Sequence, residues 1–543
     1  MNILIIIPAR GGSKGIPRKN IRSLAGKPLL YYSIRNAKKI NDGEVDIYVS
    51  SEDTEILTLA KKFGAKTIQR AVNIADDKTT LDPVIYNSYL EASEIEQKHY
   101  DTVITMQPTS PLLQPKSIND ALKLLTDKNY DTVISGIYDT HLTWIKGVKE
   151  FTPNYEKRLN RQELPQIYKE TGGFVITKSA FMTLDSRFGP NTQIYPLTKK
   201  EAVDIDDFED WNICEYYLNR KRILFVICGN SSVGMGHVYN SLSIANEILN
   251  HQVNFLTDKK SSLAYDKIKE NNYNVYIQKE ENLLQEIKNI NPDIVINDIL
   301  DTSSTYIKGL KEFVDIVINF EDLGEGSEFA DLVVNAMYPE GKINIDHFYG
   351  SKYFILRDEF LYSKEKIILP EIETILISFG GVDPNNYTER ILGLISNYCK
   401  KNNITINVIT GLGYEHDNEL GKKFPDIEIR KNVLNMSDEI YQADLIFTSA
   451  GRTTFEIAAI GVPAIVLCQN ERETTHFFAS EKNGFFNLGL GYEISDERIH
   501  KAFTGAMSLN VRKFMHERML DTDLKNGKKR VIDLIKKTIN NLV

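Results

Sequence analysis

The chain has 543 residues, of which 42% are hydrophobic and 26% are charged. This composition is typical of globular proteins and excludes a disordered or collagen-like chain. At about 150 residues per domain it predicts roughly three to four folding units. The formal net charge is −9, which excludes a general binder of polyanions. We therefore expect no nucleic acid partner, and a local cluster of cations at any phosphate site.

Cysteine usage and the opening segment bear on the cellular compartment. The cysteines lie far apart and form no CxxC motif, which argues against a disulfide scaffold or a cysteine zinc site and favours a reducing cytoplasm. The apolar run at the start is only about five residues long, whereas a secretion signal or a membrane span needs more. We therefore expect a soluble, cytoplasmic protein with no membrane partner. The cysteines are Cys214, Cys228, Cys399 and Cys468.

Short apolar runs recur along the chain, each followed by a turn and then by a helical pattern. One such pattern places Leu30, Ile34, Ala37 and Ile40 on one helix face. Continuous apolar strands that alternate with helices indicate parallel sheets covered on both faces. The sequence therefore predicts an α/β fold. The strand-like runs are 4–7, 102–106, 223–227, 294–296, 314–318, 375–378, 445–447 and 464–468.

The domain organisation follows from two places where a strand–turn–helix unit starts again. The first restart, at Ile223, follows the basic segment 218–222, and the second, at Ile375, follows the proline-bearing segment 369–371. We predict domains at 1–220, 221–368 and 369–543, of which the last two form a pair of smaller α/β lobes. The lysine-rich tail after 521 predicts an amphipathic helix with a solvated face.

A glycine-rich cationic loop, PARGGSKGIPRKN at 8–20, follows the first strand. Its paired glycines let backbone N–H groups approach an anion, and its arginines and lysines supply countercharge. The loop matches neither a Walker A motif nor a G-x-G-x-x-G fingerprint. A basic solvent loop is the alternative. Its position at the carboxyl end of a first strand, where open α/β sheets bind ligands, favours an anion site.

The segments IPARGGSKGIPRKNI and AGKPLLYYSI resemble the start of the CMP-sialic acid synthetases, the cytidylyltransferases that activate nine-carbon acidic sugars. Further motifs follow in the family's order. They are VSSED at 49–53, QPTSPL at 107–112, RQELPQIYKETGGFVIT at 161–177 and DIDDF at 204–208. This likeness covers about residues 1–215. It implies a Rossmann-like nucleotidyltransferase domain with a mostly parallel sheet, and a homodimer formed through that domain.

The resemblance also implies roles for individual residues, in which Arg10 and Lys19 promote catalysis and Mg²⁺ is the cofactor. The residues implied to bind CTP are Arg10, Gly11, Gly12, Ser13, Lys14, Lys19, Asn20, Arg70, Thr79 and Thr80. Those implied to face the acidic sugar are Gln107 and Lys169, and those implied to bind Mg²⁺ are Asp204 and Asp206. Carboxylates at i and i+2 on one strand face can share a hard cation. The alternative for this acidic run is a helix start capped by Asp207.

Two stretches depart from the family pattern. The family often has Arg-Pro and an acidic motif where this chain has Arg70-Ala71-Val72. It also has an arginine where this chain has Lys169, which offers the sugar carboxylate a point charge in place of a bidentate fork. The sugar is therefore open. In the implied reaction the anomeric hydroxyl attacks the α-phosphorus of CTP and pyrophosphate leaves, with alignment and charge neutralisation supplying most of the acceleration.

A second glycine-rich segment, GNSSVGMGH at 229–237, follows the strand that begins at Ile223. Gly234 and Gly236 allow a tight turn, and His237 begins the next predicted helix. The positive end of a helix dipole favours a neutral imidazole, which suits a general base. A packing or capping histidine is the alternative. A nicotinamide site is disfavoured because Tyr239 stands where a third glycine belongs.

Two strand–loop–helix junctions in the last lobe, ISFGGVD at 377–383 and TSAGRTTFEI at 448–457, leave backbone amides free for a diphosphate. Glu456 lies on the following helix, where it can reach ribose hydroxyls or serve as a surface acid. The candidate UDP-sugar-binding residues are Gly234, Gly236, Gly380, Gly381, Ser449, Ala450, Gly451, Thr453, Thr454 and Glu456.

The rear half, over about residues 221–500, resembles the two-lobed GT-B-type nucleotide-sugar enzymes, and most of all the UDP-sugar hydrolase of pseudaminic acid biosynthesis. The segments that carry this likeness are VGMGH at 233–237, FED at 320–322, VNA at 334–336, LRDEF at 356–360, FGGVD at 379–383 and 449–456. It implies that His237 activates water for inverting attack on the anomeric carbon. The family's Arg-x-Asp-x-Ser run is missing at 226–230, and Asn240 replaces a frequent arginine. A glycosyltransferase and a non-catalytic nucleotide-sugar-binding module therefore remain alternatives.

The two halves fit one pathway. UDP-sugar hydrolysis and cytidylyl transfer lie on either side of a condensation by a phosphoenolpyruvate-dependent nonulosonate synthase. We therefore predict a bifunctional enzyme of nonulosonic acid biosynthesis, with pseudaminic acid as the favoured product, that works beside such a synthase.

Overall fold

The computed structural model describes residues 1–13, 15–71, 74, 79–148, 150–230, 234–339, 346–433 and 435–540. It divides the chain into two units, Met1–Arg220 and Lys221–Val543. Both units are built from mostly parallel sheets flanked by helices. The predicted α/β class is therefore confirmed.

The first unit contains one large sheet, two short hairpins and the helices that cover the sheet. Its strands are β1 (Asn2–Pro8), β2 (Ser23–Leu24), β3 (Lys27–Pro28), β4 (Glu44–Ser51), β5 (Lys66–Gln69), β6 (Thr102–Met106), β7 (Thr132–Tyr138), β8 (Trp144–Lys146), β9 (Phe151–Pro153), β10 (Tyr168–Lys178) and β11 (Thr192–Pro196). Its helices are α1 (Leu29–Ala37), α2 (Thr54–Lys62), α3 (Leu81–Glu96), α4 (Pro115–Asp127) and α5 (Phe208–Asn219).

The strand order of the large sheet, β11-β7-β10-β6-β1-β4-β5, decides where a ligand can bind. β1 runs parallel to β4 on one side and to β6 on the other, and β10 runs antiparallel to β6 and β7. The chain leaves β1 toward β4 and later returns to β6, so the order reverses at β1. Open α/β sheets bind ligands beyond the carboxyl ends of the strands at such a reversal.

The isoleucine-rich strand β1 is buried on both faces. Ile3, Ile5 and Ile7 pack on the face of the sheet that α1 covers. Leu4 and Ile6 pack in the core on the opposite face. Strands of parallel sheets covered on both faces read as continuous apolar runs for this reason. The rigid strand thus carries the cationic loop from its carboxyl end.

The second unit contains two sheets with their covering helices. Its strands are β12 (Arg222–Ile227), β13 (Gln252–Thr257), β14 (Asn274–Ile277), β15 (Ile294–Asp298), β16 (Ile316–Phe320), β17 (Leu332–Asn335), β18 (His347–Tyr349), β19 (Thr374–Ile377), β20 (Thr405–Thr410), β21 (Glu428–Lys431), β22 (Leu445–Thr448), β23 (Ala464–Cys468) and β24 (Phe485–Leu490). Its helices are α6 (Gly236–Ala245), α7 (Ser262–Glu270), α8 (Leu283–Ile290), α9 (Ser304–Lys311), α10 (Asp358–Leu361), α11 (Tyr387–Lys401), α12 (Asp417–Lys423), α13 (Met436–Gln442), α14 (Thr453–Ile460), α15 (Glu471–Thr474), α16 (Asp496–Ala506), α17 (Leu509–Leu520) and α18 (Gly527–Asn540).

The two sheets define two lobes within this unit. The N-lobe sheet has the order β14-β13-β12-β15-β16-β17-β18, and the C-lobe sheet has the order β21-β20-β19-β22-β23-β24. Neighbouring strands run parallel in both sheets. The predicted pair of α/β lobes is therefore confirmed.

The last helix, α18, packs on the N-lobe although it follows the C-lobe in sequence. Val531, Ile532, Ile535 and Ile539 lie in the core cluster that also contains Phe225. Their spacing places them on one helix face, while lysines occupy the other. The lysine-rich tail therefore forms the predicted amphipathic helix, and its apolar face joins the core of the preceding lobe.

In the parts of the chain that the structure describes, every helix is too short or too polar to cross a bilayer. The four cysteines are free thiols, as their spacing predicts.

The packing of α18 gives a stability prediction. Ile535→Ala removes a fully buried side chain from the N-lobe core, so we expect the unfolding free energy of the second unit to fall by about 2–5 kcal/mol. Lys536→Ala is the matched control, since the neighbouring lysine is exposed. Denaturant unfolding of both variants measures the difference. Equal stability of the two variants would contradict the docking of α18.

Candidate active sites

The cationic loop after β1 is tied to the end of β4. The backbone N–H of Ala9 donates to the carbonyl of Ser50 at 3.0 Å, and that of Gly11 donates to Glu52 Oε1 at 2.6 Å. Arg18 forms ion pairs with Asp53, at 2.6 Å, and with Glu55. The VSSED motif therefore fixes the shape of the loop, because its acids bind loop atoms.

Arg10 and Asn20 are joined within the loop itself. Asn20 is buried, and its side-chain Nδ2 donates to the carbonyl of Arg10 at 2.9 Å. Asn20 thus supports the main chain that carries the Arg10 side chain. Gly12 and Ser13 lie on the same loop, and Lys14 lies outside the described residues.

Lys19 connects the loop with the acidic segment at 204–206. Its Nζ donates to the carbonyl of Ile205 at 2.5 Å and lies 3.9 Å from Asp206 Oδ1. Burial lowers the pKa of Lys19, and the charges of Asp206 and Asp204 oppose that shift. Gly15 makes a second contact, because a Cβ there would lie 2.2 Å from the carbonyl oxygen of Asp206. Only glycine permits this approach.

Asp204 is a half-buried carboxylate with one buried oxygen, Oδ1. Within the described residues no hydrogen bond reaches its Oδ1. Burial raises the pKa of Asp204, an effect that the Thr109 hydroxyl opposes and the charge of Asp206 strengthens. A buried carboxylate oxygen without a donor is a place that a cation can satisfy. Asp206, by contrast, is exposed, with 84% of its side chain open to solvent.

The fit to Mg²⁺ can be judged from this donor set. In the described ranges no group of three or more His, Cys, Asp or Glu residues could hold a metal. Mg²⁺ does not need one, since it usually keeps several waters and takes one or two carboxylates together with substrate phosphate oxygens. Asp204 and Asp206 fit that pattern.

Asp207 serves as a helix cap. Its Oδ1 accepts from the backbone N–H groups of Glu209 at 2.8 Å and of Asp210 at 3.0 Å, and Asp210 completes a capping box at the start of α5. The helix-start interpretation of the acidic run is therefore confirmed for Asp207.

Arg70 supports the end of β4 from the neighbouring strand. It is buried, its guanidinium donates to the carbonyl of Ser50 at 2.7 Å, and it lies 3.9 Å from Glu52 Oε2. Burial lowers its pKa. Thr80 takes the N-cap position of α3, and Thr79 precedes it. A contact of Arg70, Thr79 or Thr80 with CTP stays a prediction.

The residues predicted to face the sugar lie at the same edge of the sheet. Gln107 directly follows β6, and its carbonyl accepts from Ser33 Oγ at 3.2 Å. Lys169 lies near the start of β10, ahead of an irregularity between Glu170 and Val175. That irregularity brings Gly172 against Asp204, because a Cβ at Gly172 would lie 2.8 Å from its Oδ2.

The second unit holds a cavity of about 500 Å³ lined by both lobes. Ala450 and Thr454 are buried beside it, and residues 231–233 of the glycine-rich segment lie outside the described residues. The predicted residues that line the cavity are Gly234, Gly236, His237, Gly380, Gly381, Ser449, Gly451, Thr453 and Glu456.

His237, the second residue of α6, is paired with a buried acid. Its Nδ1 lies 2.5 Å from Asp298 Oδ1, at the end of β15, and Asp298 Oδ2 accepts from Asn240 at 2.8 Å. A carboxylate on Nδ1 fixes the imidazole so that Nε2 is free to accept a proton. This geometry suits a general base that faces the cavity.

Arg452 from the C-lobe lies beside this pair. Its guanidinium donates to Asn240 Oδ1 at 3.3 Å and to the carbonyl of Ile355 at 3.1 Å, and it lies 4.4 Å from the centre of the Phe354 ring. Asn240 thus connects Asp298 with Arg452. A guanidinium is present next to the His237–Asp298 pair even though position 240 carries no arginine.

Glu456 is not a surface acid, because only 8% of it is exposed. Its Oε1 accepts from Arg357 Nε at 2.8 Å, and Arg357 also pairs with Glu359 at 2.7 Å. The surface interpretation was wrong because it ignored Arg357, which lies far away in sequence. A contact of Glu456 with ribose stays a prediction.

Comparison with known proteins concerns mainly the first unit. The family described as Cytidylyltransferase matches residues 4–223. The pseudaminic acid cytidylyltransferase of Campylobacter jejuni subsp. jejuni serotype O:2 is 34% identical over 222 residues, which cover 39% of this chain and 93% of that protein.

The chain belongs to the cytidylyltransferase family.

In two further relatives, the match with this chain covers only part of the protein. The N-acylneuraminate cytidylyltransferase B of Danio rerio is 31% identical over 257 residues, which cover 44% of this chain and 59% of that protein. Uncharacterized protein MJ1062 of Methanocaldococcus jannaschii is 36% identical over 274 residues, which cover 46% of this chain. The chain spans 56% of the length of MJ1062.

Likeness to solved structures concerns the fold alone. MurG of Acinetobacter baumannii has a TM-score of 0.44 at 17% identity and covers 58% of this chain and 99% of its own. A CMP:2-keto-3-deoxy-manno-octonic acid synthetase complexed with CTP has a TM-score of 0.32 at 15% identity and covers 40% of this chain and 98% of its own.

The cytidylyltransferase unit brings three predicted segments together at one edge of its sheet. They are the cationic loop at 8–20, the acidic segment at 204–206 and the start of β10. Sequence reasoning did not single out Asp298 of the other unit, and it gave no role to Glu321 and Arg452, which lie in segments that carry the family likeness. Asp298 had one available signal, since an acid at the carboxyl end of a buried strand lies at the ligand-binding edge.

The close approach of Gly15 gives a prediction for the cytidylyltransferase unit. Gly15→Ala forces the loop away from Asp206, so we expect about 1–3 kcal/mol of lost stability in this unit, as is usual for overpacking. Gly12→Ala is the matched control, because a Cβ there meets nothing within 4 Å. Thermal unfolding followed by tryptophan fluorescence and circular dichroism compares them. A Gly15→Ala variant as stable as Gly12→Ala would contradict the contact.

Proposed function

We propose that the first unit transfers CMP from CTP to a nine-carbon 2-keto acid sugar and releases pyrophosphate. The single observation that carries this proposal is the contact between the cationic loop and the acidic segment, made by Lys19 and Gly15. This contact joins the loop that we propose to bind phosphate with the segment that we propose to bind the metal. Membership of the cytidylyltransferase family and the similarity to a pseudaminic acid cytidylyltransferase support the substrate class.

The chain's own residues perform binding and alignment in this reaction. The sugar's anomeric hydroxyl attacks the α-phosphorus of CTP while pyrophosphate leaves from the opposite side. Arg10, Lys19 and the N–H groups of Gly12 and Ser13 stabilise the negative charge that develops on the phosphate oxygens. Asp204 and Asp206 would hold Mg²⁺, which neutralises phosphate charge when bound.

The acidic sugar would lie against Gln107 and Lys169. Lys169 supplies a charge for its carboxylate, and an ammonium accepts many approach directions. This tolerance suits a site whose sugar stereochemistry is set by other contacts. We propose a nonulosonic acid of the sialic or pseudaminic type as substrate, with pseudaminic acid favoured by the relative in Campylobacter jejuni.

The metal role gives a test with a control in the same acidic run. Asp204→Asn removes a carboxylate charge that we propose to hold the metal, so we expect kcat/KM for pyrophosphate release to fall about 100-fold or more. Asp207→Asn should keep this activity, since Asp207 only caps α5. It should lower the unfolding free energy by about 1 kcal/mol or less.

The measurement supplies CTP and Mg²⁺ with sialic, legionaminic or pseudaminic acid and follows pyrophosphate. Absence of pyrophosphate from the unsubstituted enzyme with all three acids would refute cytidylyl transfer to nonulosonic acids. Full activity of Asp204→Asn would refute only the metal role.

We propose a second activity for the second unit, the hydrolysis of a UDP-diacetamido-trideoxyhexose to UDP and the free sugar. The observation that favours it is the His237–Asp298 pair beside a cavity large enough for such a ligand. His237 Nε2 takes a proton from water, the water oxygen attacks the anomeric carbon with inversion, and UDP leaves. The glycines at 380 and 381 and the start of α14 would hold the diphosphate.

The two activities would flank one condensation step. The free sugar from the second unit is the substrate of a phosphoenolpyruvate-dependent nonulosonate synthase, and the acid made there is the substrate of the first unit. We propose that the enzyme works beside such a synthase as a homodimer formed through the first unit.

His237→Ala and Asp298→Asn test the second activity. Loss of the base or of its orienting carboxylate should lower UDP release by about 100-fold or more, while CMP transfer stays unchanged in the same preparation. UDP release that needs an added sugar acceptor would identify a glycosyltransferase instead. Unchanged turnover in His237→Ala would leave the second unit as a binding module.

A further inference from the structure

Glu321 is a buried acid in the cavity of the second unit with no assigned role. It directly follows β16 in the N-lobe, lines the cavity and is only 5% exposed. Its backbone φ is +52°, in the left-handed region that side chains with a Cβ rarely adopt. Such strain persists where the surroundings enforce it, and it concentrates at functional sites.

Asp322, the next residue, holds the backbone of Glu321 in this left-handed conformation. The carboxylate of Asp322 accepts from Thr302 Oγ1 at 2.6 Å and from Asn319 Nδ2 at 2.6 Å. Asn335 exchanges two hydrogen bonds of 2.9 Å with the main chain of Asp322. These buried polar contacts hold the turn rigidly, so Glu321 is fixed relative to the sheet.

The carboxyl group of Glu321 uses only one of its oxygens. Oε2 accepts from the backbone N–H of Met337 at 3.3 Å, and no hydrogen bond from a described residue reaches Oε1. Arg472 of the C-lobe donates to the main-chain carbonyl of Glu321 at 3.2 Å, and this hydrogen bond does not involve the carboxyl group. Oε1 is therefore available to a molecule in the cavity.

Burial favours the neutral form of the Glu321 carboxyl group. The ionisable groups that act on its carboxyl group are Arg452, Asp298 and His237. Arg357 is already paired with Glu456 and Glu359. Arg452 thus interacts with Glu321, Asp298 and Glu456 together. Burial raises the pKa of Glu321 to about 7, Arg452 opposes this shift and Asp298 adds to it.

We propose that Glu321 is the proton donor of the nucleotide-sugar site, acting on the leaving diphosphate while the His237–Asp298 pair activates the nucleophile. This inference rests on the hydrolytic activity proposed for the second unit. His237 and Glu321 both belong to the N-lobe, and Arg452, next to the start of α14, brings the proposed diphosphate site close to Glu321.

The protons balance in this step. Water gives one proton to His237 Nε2 as its oxygen bonds to the anomeric carbon. The bond from that carbon to the β-phosphate oxygen breaks, the electron pair stays on the oxygen, and the oxygen takes the proton of Glu321. The imidazolium and the Glu321 carboxylate then return to their starting forms by exchange with solvent. Turnover therefore requires protonated Glu321 and falls as the pH rises through its pKa.

Glu321→Gln tests the proposal, because the amide keeps the shape and the acceptor for Met337 but cannot give up a proton in this way. The probe is UDP release from UDP-diacetamido-trideoxyhexoses and UDP-N-acetylglucosamine, measured between about pH 5 and pH 9. We expect kcat to fall about 100-fold and the alkaline limb of the kcat profile to disappear. The affinity for UDP, measured by calorimetry, should stay within about twofold.

Glu325→Gln is the matched control, since Glu325 is an exposed acid four residues further along the chain; it should match the unsubstituted enzyme in kcat and pH profile. If the unsubstituted enzyme turns over and Glu321→Gln keeps its kcat and alkaline limb, the inference fails and the proposed hydrolysis stands. If Glu321→Gln loses UDP binding together with kcat, the residue is structural and the inference fails. If the unsubstituted enzyme releases no UDP from any probe, the hydrolytic function fails and the inference with it.

Discussion

The hydrogen bond from Lys19 Nζ to the carbonyl of Ile205 joins the two chemically opposite parts of the first unit. It holds a cationic, glycine-rich loop against a pair of carboxylates, and Gly15 lets the two backbones touch. The arrangement places positive charge and N–H groups on one side of the crevice and the carboxylate oxygens of Asp204 and Asp206 on the other. A nucleoside triphosphate with its divalent cation needs both, and separation of the two segments would leave each as an ordinary surface loop.

In the second unit, two arginine side chains of the C-lobe contact residues of the N-lobe at the cavity. Arg452 reaches Asn240 and lies near Asp298 and Glu321, while Arg472 binds Asp301, Tyr338 and the main chain of Glu321. These contacts bring the proposed base His237, the proposed acid Glu321 and the buried guanidinium of Arg452 to one cavity. Both lobes therefore line the cavity, and these two arginines connect them.

The sequence patterns predicted features that depend on neighbours in the chain, and they missed contacts between residues that are far apart in sequence. The strands, the glycine loops and the capping alternative for Asp207 follow from neighbours in the chain, and the structure agrees with them. The partners of Lys19, His237 and Glu456 lie 186, 61 and 99 residues away, respectively, and no local pattern encodes them. The docking of α18 on the N-lobe and the left-handed backbone of Glu321 also depend on tertiary packing. The family resemblance in turn supplied the substrates proposed for the first unit, which spacing alone could not.

The most direct test of the central claim is a crystal structure of the full chain grown with CTP and Mn²⁺ in place of Mg²⁺. The account predicts triphosphate density along Gly11, Gly12 and Ser13, and an anomalous manganese peak against Asp204 that also contacts a phosphate oxygen. A nucleotide bound elsewhere, with the loop empty and no metal at Asp204, would contradict it.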